Sequence, residues 1–285
     1  MPVIAVINRK GGSGKSTLAT HLAAWCATHG LPVMLGDVDR QQSTQTWLRL
    51  REKQRPPQAA PIVGWTIDPR NIRRPPPGIT RVVLDTPGGM RGTDLARVVM
   101  YADAILMPVG HSVFDRVSAA ACHAELMSLP RVASGRCKVA AIGMRLDART
   151  KAAELLQEWA GRLNLPFIGV LRETQVYVRC VERGLTLFDL PPAQSQADLT
   201  QWKPILDWLD PLLHPAIAEV AAPAAVQRSS NLARATPEVA AKALDELAAR
   251  RPQPALRASS RRDGLGRSGR LLDWLVLPRL FRRNS

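Results

Sequence analysis

The stretch "INRKGGSGKST" (residues 7–17) ends the apolar run "VIAVI" (3–7) and decides how the rest of the chain is read. An apolar run, a glycine-rich turn and a helix-forming segment follow one another as strand, phosphate-binding loop and helix. The ordinary loop pattern, G-x-x-x-x-G-K-[ST], needs a glycine five residues before Gly14, and Arg9 stands there. A second lysine, Lys10, lies inside the loop. Either the loop is degraded, or it is a different device that uses two lysines.

The chemistry of the segment favours a working site. Gly11, Gly12 and Gly14 let the backbone wrap closely around an anion and take positive φ where needed. A helix starting near Lys15 points its free amides at that anion. Lys15 would reach the β- and γ-phosphates, the Ser16 hydroxyl would ligate Mg²⁺, and Thr17 would bond the α-phosphate. The expected nucleotide contacts are therefore Lys10, Gly11, Gly12, Ser13, Gly14, Lys15, Ser16 and Thr17.

Working outward, residues 1–212 alternate short apolar runs with helix-length segments. The runs are 3–7, 32–39, 81–85, 104–109, 139–144 and 166–171, and their unbroken apolar character suits strands buried on both faces of a parallel sheet. Helices are expected over Ser16–Thr28, Gln42–Gln54, Asp94–Tyr101, Phe114–Leu129 and Thr150–Leu163. The fold class is α/β, a doubly wound and mostly parallel sheet. The proline-rich segment 55–78 reads as a loop with one edge strand at most. Ligands in such sheets bind beyond the carboxyl ends of the strands, where Asp37, Asp39 and Asp85 end theirs.

"RVVLD" (81–85) ends in Asp85, placed to hold Mg²⁺ through water, and "TPGG" follows as a turn suited to sensing a γ-phosphate. In "GDVDRQQS" (36–43), Asp37 and Asp39 alternate onto one face and are expected to converge on the site, orienting water or supporting Mg²⁺. Asp39 has a structural alternative, as cap of the helix that begins near Gln41.

Beyond Pro215 the composition turns to Ala, Pro, Arg and Ser, and residues 213–285 read as a largely disordered basic tail. A short helix is expected over 236–251, with Thr236 as cap and Pro237 at its first position. The segment 270–285 is a hydrophobic block flanked by arginines. It would meet an anionic membrane, a partner protein or the chain's own folded domain; Pro278 and the all-round apolar distribution weaken the membrane option.

The 285-residue chain is 46% hydrophobic and carries a formal net charge of +15, which favours phosphate-rich partners. Its four cysteines form no C-x-x-C pair, arguing against zinc, iron–sulfur and disulfide frameworks and fitting a reducing cytosol. The first strand starts too early for a signal peptide, and no apolar run reaches the roughly 18 residues of a membrane span.

These motifs closely resemble those of the ParA/MinD family of P-loop ATPases, which carry a deviant Walker A loop. The family pattern K-G-G-x-G-K-[ST] stands as "KGGSGKST" (10–17). "GDVDRQQS" matches its D-x-D strand end, "VVLDTPGG" its Mg²⁺ strand, and "YADAILMPVGHSVFD" (101–115) a further family run. Segments 144–156 and 171–192 are similar to the family's second half. The resemblance implies a cytoplasmic, nucleoid-associated bacterial ATPase that uses ATP and Mg²⁺ and closes as a homodimer around ATP. Lys10 would then cross to the partner's nucleotide, Asp39 would position the attacking water and Asp37 would support it. It also implies a ParB-like or adaptor protein that stimulates hydrolysis, and nonspecific DNA binding through Arg172, Arg179 and Arg183, with Arg145 and Arg149 as additions. Those arginines have a second reading as solvated surface or partners of Glu173 and Glu182. The family divides into partition-type positioning of a plasmid, chromosome or protein cargo, and MinD-type cycling on a membrane. Arg40, the Thr-Pro turn after Asp85, and Met144 depart from common family residues.

Overall fold

The structure is a computed structural model that describes residues 1–39, 41–54, 60–68, 75–147 and 149–214. Arg40, parts of the proline-rich loop, the expected helix 236–251 and the segment 270–285 lie outside the described residues.

In chain order the elements are β1 (Val3–Val6), α1 (Lys15–Thr28), β2 (Val33–Asp37), α2 (Ser43–Gln54), β3 (Ile62–Thr66) and β4 (Arg81–Asp85). They continue with α3 (Gly92–Tyr101), β5 (Ala104–Val109), α4 (Val113–Ser128), α5 (Pro130–Ala133), β6 (Lys138–Met144) and α6 (Lys151–Arg162). Last come β7 (Phe167–Leu171), α7 (Gln175–Glu182), a 3-10 turn at Leu187–Asp189 and α8 (Pro192–Leu213).

The seven strands form one sheet in the order β3-β2-β4-β1-β5-β6-β7, and every pairing is parallel. Parallel pairing brings all the strand carboxyl ends to one edge. In register, Val6 lies beside Asp85 and Asp37 beside Asp85. The loops after β1, β2 and β4 therefore meet where the chain changes direction across the sheet, the place such folds reserve for ligands.

Side-chain alternation divides the core in two. Ile4 and Val6 face a layer containing Leu18, Leu22, Trp47, Trp202 and Leu209, contributed by α1, α2 and α8. Ala5 and Ile7 face the opposite layer, with Leu95, Val98, Ala119, Leu126 and Leu156 from α3, α4 and α6. Each β1 residue from Ile4 to Val6 is fully buried, as the unbroken apolar run requires.

The proline-rich loop does contain an edge strand, β3, half exposed and paired on β2. Helices α7 and α8 lie outside the expected helices, and α8 carries Pro204 and Pro211 within it. Each proline removes one main-chain donor. The helix persists because Trp202, Ile205, Leu209 and Leu213 bury a continuous stripe against the sheet.

Candidate functional site

The loop after β1 is held from below before it turns. Asn8 is buried; its side-chain amide donates to the Pro108 carbonyl at 2.6 Å, and its oxygen accepts from the Lys10 amide at 3.2 Å. Gly14 then takes φ +96° as the residue preceding α1. Only glycine enters that region without strain, and a Cβ there would also stand 2.7 Å from the Met144 methyl. The Leu18 amide closes the first turn on the Gly14 carbonyl at 2.9 Å, which leaves the earlier α1 amides without intrahelical acceptors. They open on a cavity of about 740 Å³ lined by Arg9, Gly11–Thr17, Asp39, Gln41, Ser43, Pro87–Gly89 and Arg145. An anion fits this cradle of amides at a helix N-terminus.

Lys15 is buried, and its ammonium donates to the Lys10 carbonyl at 3.0 Å across the loop. Burial pushes its pKa down, opposed by the negative charge of Asp85 and Asp39. Asp85 is fully buried, and neither carboxylate oxygen has a hydrogen-bond partner among the described residues. Burial pushes its pKa up to about 7; the neighbouring Ser16 hydroxyl favours the charged form without making a hydrogen bond of ordinary geometry, while Asp37 adds to the rise. A buried carboxylate with two orphaned oxygens beside a serine hydroxyl is a donor set that suits a hard cation such as Mg²⁺.

Asp37 and Asp39 both lie near Asp85, but their carboxylates have different partners. The Asp37 carboxylate accepts from the Thr44 amide at 3.0 Å, the Thr44 hydroxyl at 2.5 Å and the Gln45 amide at 3.4 Å, all in the first turn of α2. Its other oxygen accepts from the Asp39 amide at 3.0 Å. The helix-capping role that sequence offered to Asp39 thus belongs to Asp37, which is fully buried and fixes the backbone of its neighbour. Asp39 lines the cavity, with its carboxylate held by the Gln41 amide at 3.0 Å.

Lys10 does not point into its own cavity. Its ammonium pairs with Asp115, and the lysine side chain remains 41% exposed. Asp115 is fixed in turn by a reciprocal capping box with Ser112 at the start of α4. The pair joins positions over a hundred residues apart in sequence, and only the fold reveals it.

The arginines fall in unlike places. Arg172 binds Asp198 of α8 with two hydrogen bonds, at 2.6 and 3.1 Å, and Asp198 is buried. Its guanidinium is committed to tying β7 to α8. Arg179 and Arg183 are exposed on and just after α7, beside a groove with Val176, Cys180 and Leu185. Arg145 takes φ +58°, rare for a residue with a side chain, and its guanidinium meets the Gly12 carbonyl at the phosphate cavity. Sequence placed Arg145 with the DNA-facing arginines; its position after Met144, at the carboxyl end of β6, is what brings it to the loop.

A parallel sheet with this cradle and acidic strand ends defines a P-loop nucleotide-binding protein. The chain matches the CobQ/CobB/MinD/ParA nucleotide binding domain over residues 4–188, and it belongs to that family. It is 28% identical over 189 residues to maintenance of carboxysome distribution protein A of Halothiobacillus neapolitanus, covering 66% of this chain and 87% of that one. It is 30% identical over 115 residues to protein ParA of Rhizobium radiobacter, covering 40% of this chain and 51% of that one. Among solved structures, a Cyanothece McdA variant in complex with ATP superposes with TM-score 0.58 at 15% identity, over 74% of this chain and 96% of that one. A Borrelia burgdorferi plasmid partition protein bound to AMPPNP gives TM-score 0.56 at 15% identity, over 73% and 99%. The fold is therefore that of the ParA/MinD-type ATPases. Among the described residues no helix is long and apolar enough to cross a membrane.

Proposed function

We propose that the chain is an Mg²⁺-dependent positioning ATPase: two copies close around ATP, the dimer holds DNA without reading its sequence, and stimulated hydrolysis releases it. The observation that carries this reading is the division of labour between the two loop lysines. Lys15 is buried within its own phosphate loop, whereas Lys10 is half-exposed and, among the described residues, its ammonium pairs with Asp115. A cation placed outside its own cavity is suited to a second copy's nucleotide, where it would stabilise charge on the transferring phosphoryl group.

Ser16 and Asp85 would hold Mg²⁺, Asp85 through water, and the ion would neutralise phosphate charge. The first-turn amides of α1 and Lys15 would orient the phosphates. Asp39, steadied by the Gln41 amide and by the Asp37 contact to its own amide, would hold the attacking water. The exposed Arg179 and Arg183 would make phosphate contacts on DNA, while Arg172 serves the fold. A ParB-like or adaptor protein would stimulate turnover. The likeness to a carboxysome-distribution protein, extending over 87% of that relative, favours a protein assembly as cargo over a plasmid or chromosome.

Light scattering on the full chain tests the reading. With Mg²⁺ and a slowly hydrolysed ATP analogue, the molar mass should double relative to ADP, and duplex DNA of unrelated sequences should bind equally well. A chain that stays monomeric with saturating analogue contradicts it.

A further inference from the structure

Residues 86–92, the turn after β4, are held at three points on three different elements. The Thr86 hydroxyl donates to the Val6 carbonyl at 2.7 Å, on β1. The Gly89 amide donates to the Arg9 carbonyl at 2.6 Å, on the phosphate loop, where Gly88 lies so close that a Cβ would stand 3.2 Å from the Gly11 backbone. The Gly92 amide, at the start of α3, donates to Oε1 of Glu125 on α4 at 2.6 Å. The other Glu125 oxygen pairs with the Arg9 guanidinium.

Arg9 is therefore bound twice to the same turn, by its backbone to Gly89 and through Glu125 to Gly92. Its side chain occupies the position at which the ordinary loop pattern has glycine. Exposed ion pairs contribute little, but this pair is largely covered, with side-chain exposures of 28% and 22%. The Glu125 carboxylate also supplies the negative charge that α3, lacking any side-chain cap of its own, favours at its N-terminus. The Gly92 amide and Arg9 hold the Glu125 acid below the ordinary range against the opposing effect of burial.

From this we infer that Arg9 and Glu125 form a latch that sets the resting position of residues 86–92 at the phosphate cavity. Glu125 is a positioning residue, since it lies outside the cavity and acts through Gly92; Arg9 lines the cavity and also holds the turn through Gly89 and Glu125. Pro87–Gly89 line the cavity, so the latch governs where the turn stands relative to a γ-phosphate. It should thus control the rate of hydrolysis more than nucleotide affinity. The rate statement rests on the ATPase reading above; the geometric statement does not.

The test is amide hydrogen exchange over 86–92 in the full chain, with steady-state ATP hydrolysis measured on the same proteins. Glu125→Ala should speed exchange at Gly92 by about tenfold, the loss expected for a charge-assisted bond, and at Gly89 by less, because Gly89 is held by the Arg9 carbonyl. It should lower kcat by about five- to tenfold while KM moves less than about twofold, the pattern of a lost positioning contact. The near-isosteric Glu125→Gln keeps an acceptor for Gly92 and loses the pair with Arg9, so it should fall between the two and guards against misfolding of the alanine variant. Unchanged exchange in both variants, or equal changes in kcat and KM, overturns the latch. If the wild type binds ATP without turning it over, the ATPase reading fails alone, and the exchange data still decide the geometric statement.

Discussion

Replacing Asp85 by asparagine removes a buried charge that the fold does not satisfy. The carboxyl is fully enclosed, both oxygens lack partners among the described residues, and its pKa stands at about 7 against the ordinary 3.8. At 1.36 kcal/mol per tenfold, that displacement corresponds to on the order of 4 kcal/mol of native-state cost when the group is fully ionised. The sign follows from proton binding. Between the two pKa values the folded chain holds a proton that the unfolded chain has lost, so stability falls as pH rises from about 4 to about 7 and then levels. Asparagine has no such dependence. The advantage of Asp85→Asn in nucleotide-free, Mg²⁺-free buffer should therefore grow by about 2–3 kcal/mol between about pH 5 and about pH 8. For a domain of this size that is a relative gain of about 5–10 °C in Tm. Thermal unfolding at the two pH values reads it directly. An advantage that does not change with pH, or a variant less stable than wild type at the higher pH, refutes the argument. The same variant should lose Mg²⁺-dependent ATP hydrolysis, because the amide is a poor substitute ligand for a hard cation.

Three further outcomes are expected. Asp39→Ala should leave ATP binding intact and cut hydrolysis by at least about a hundredfold, so that the ATP-bound dimer persists in a size-exclusion run where wild type decays. Arg172→Ala should lower stability by about 1–3 kcal/mol, discounted for the partly exposed arginine, because it leaves Asp198 buried and unpaired. Arg179→Ala should barely change Tm, yet reduce the salt slope of DNA binding by about 2 per dimer, as two phosphate contacts would be lost. Denaturation curves and anisotropy titrations at several salt concentrations separate these two arginines.

The fold was legible wherever one local signal sufficed. Unbroken apolar runs point to six of the seven strands, since a parallel sheet buries both faces of its inner strands. The proline-interrupted α8 was not found, although its buried positions Trp202, Ile205, Leu209 and Leu213 follow helical spacing. Packing outweighs the two lost donors, and propensity cannot show that. In the site, Lys15, Ser16 and Asp85 gather where their motif position implies. Strand alternation pairs Asp37 with Asp39, but β2 ends at Asp37 and the chain turns there, which sends the Asp37 carboxylate to α2 and leaves Asp39 at the cavity. The contacts of Lys10 with Asp115 and of Arg9 with Glu125 span more than a hundred residues, so no window of sequence contains them. Arg145 reaches the loop through a backbone conformation that its residue type does not advertise.

The measurement closest to the central claim is the effect of Lys10→Ala on two quantities in one sample series: ATP affinity by equilibrium binding, and molar mass with a slowly hydrolysed ATP analogue by light scattering. A lysine that serves a second copy's nucleotide predicts affinity within about threefold of wild type and a mass that stays that of the monomer. A variant that still doubles its mass on the analogue would contradict the role assigned to Lys10, and with it the account of why this loop carries two lysines.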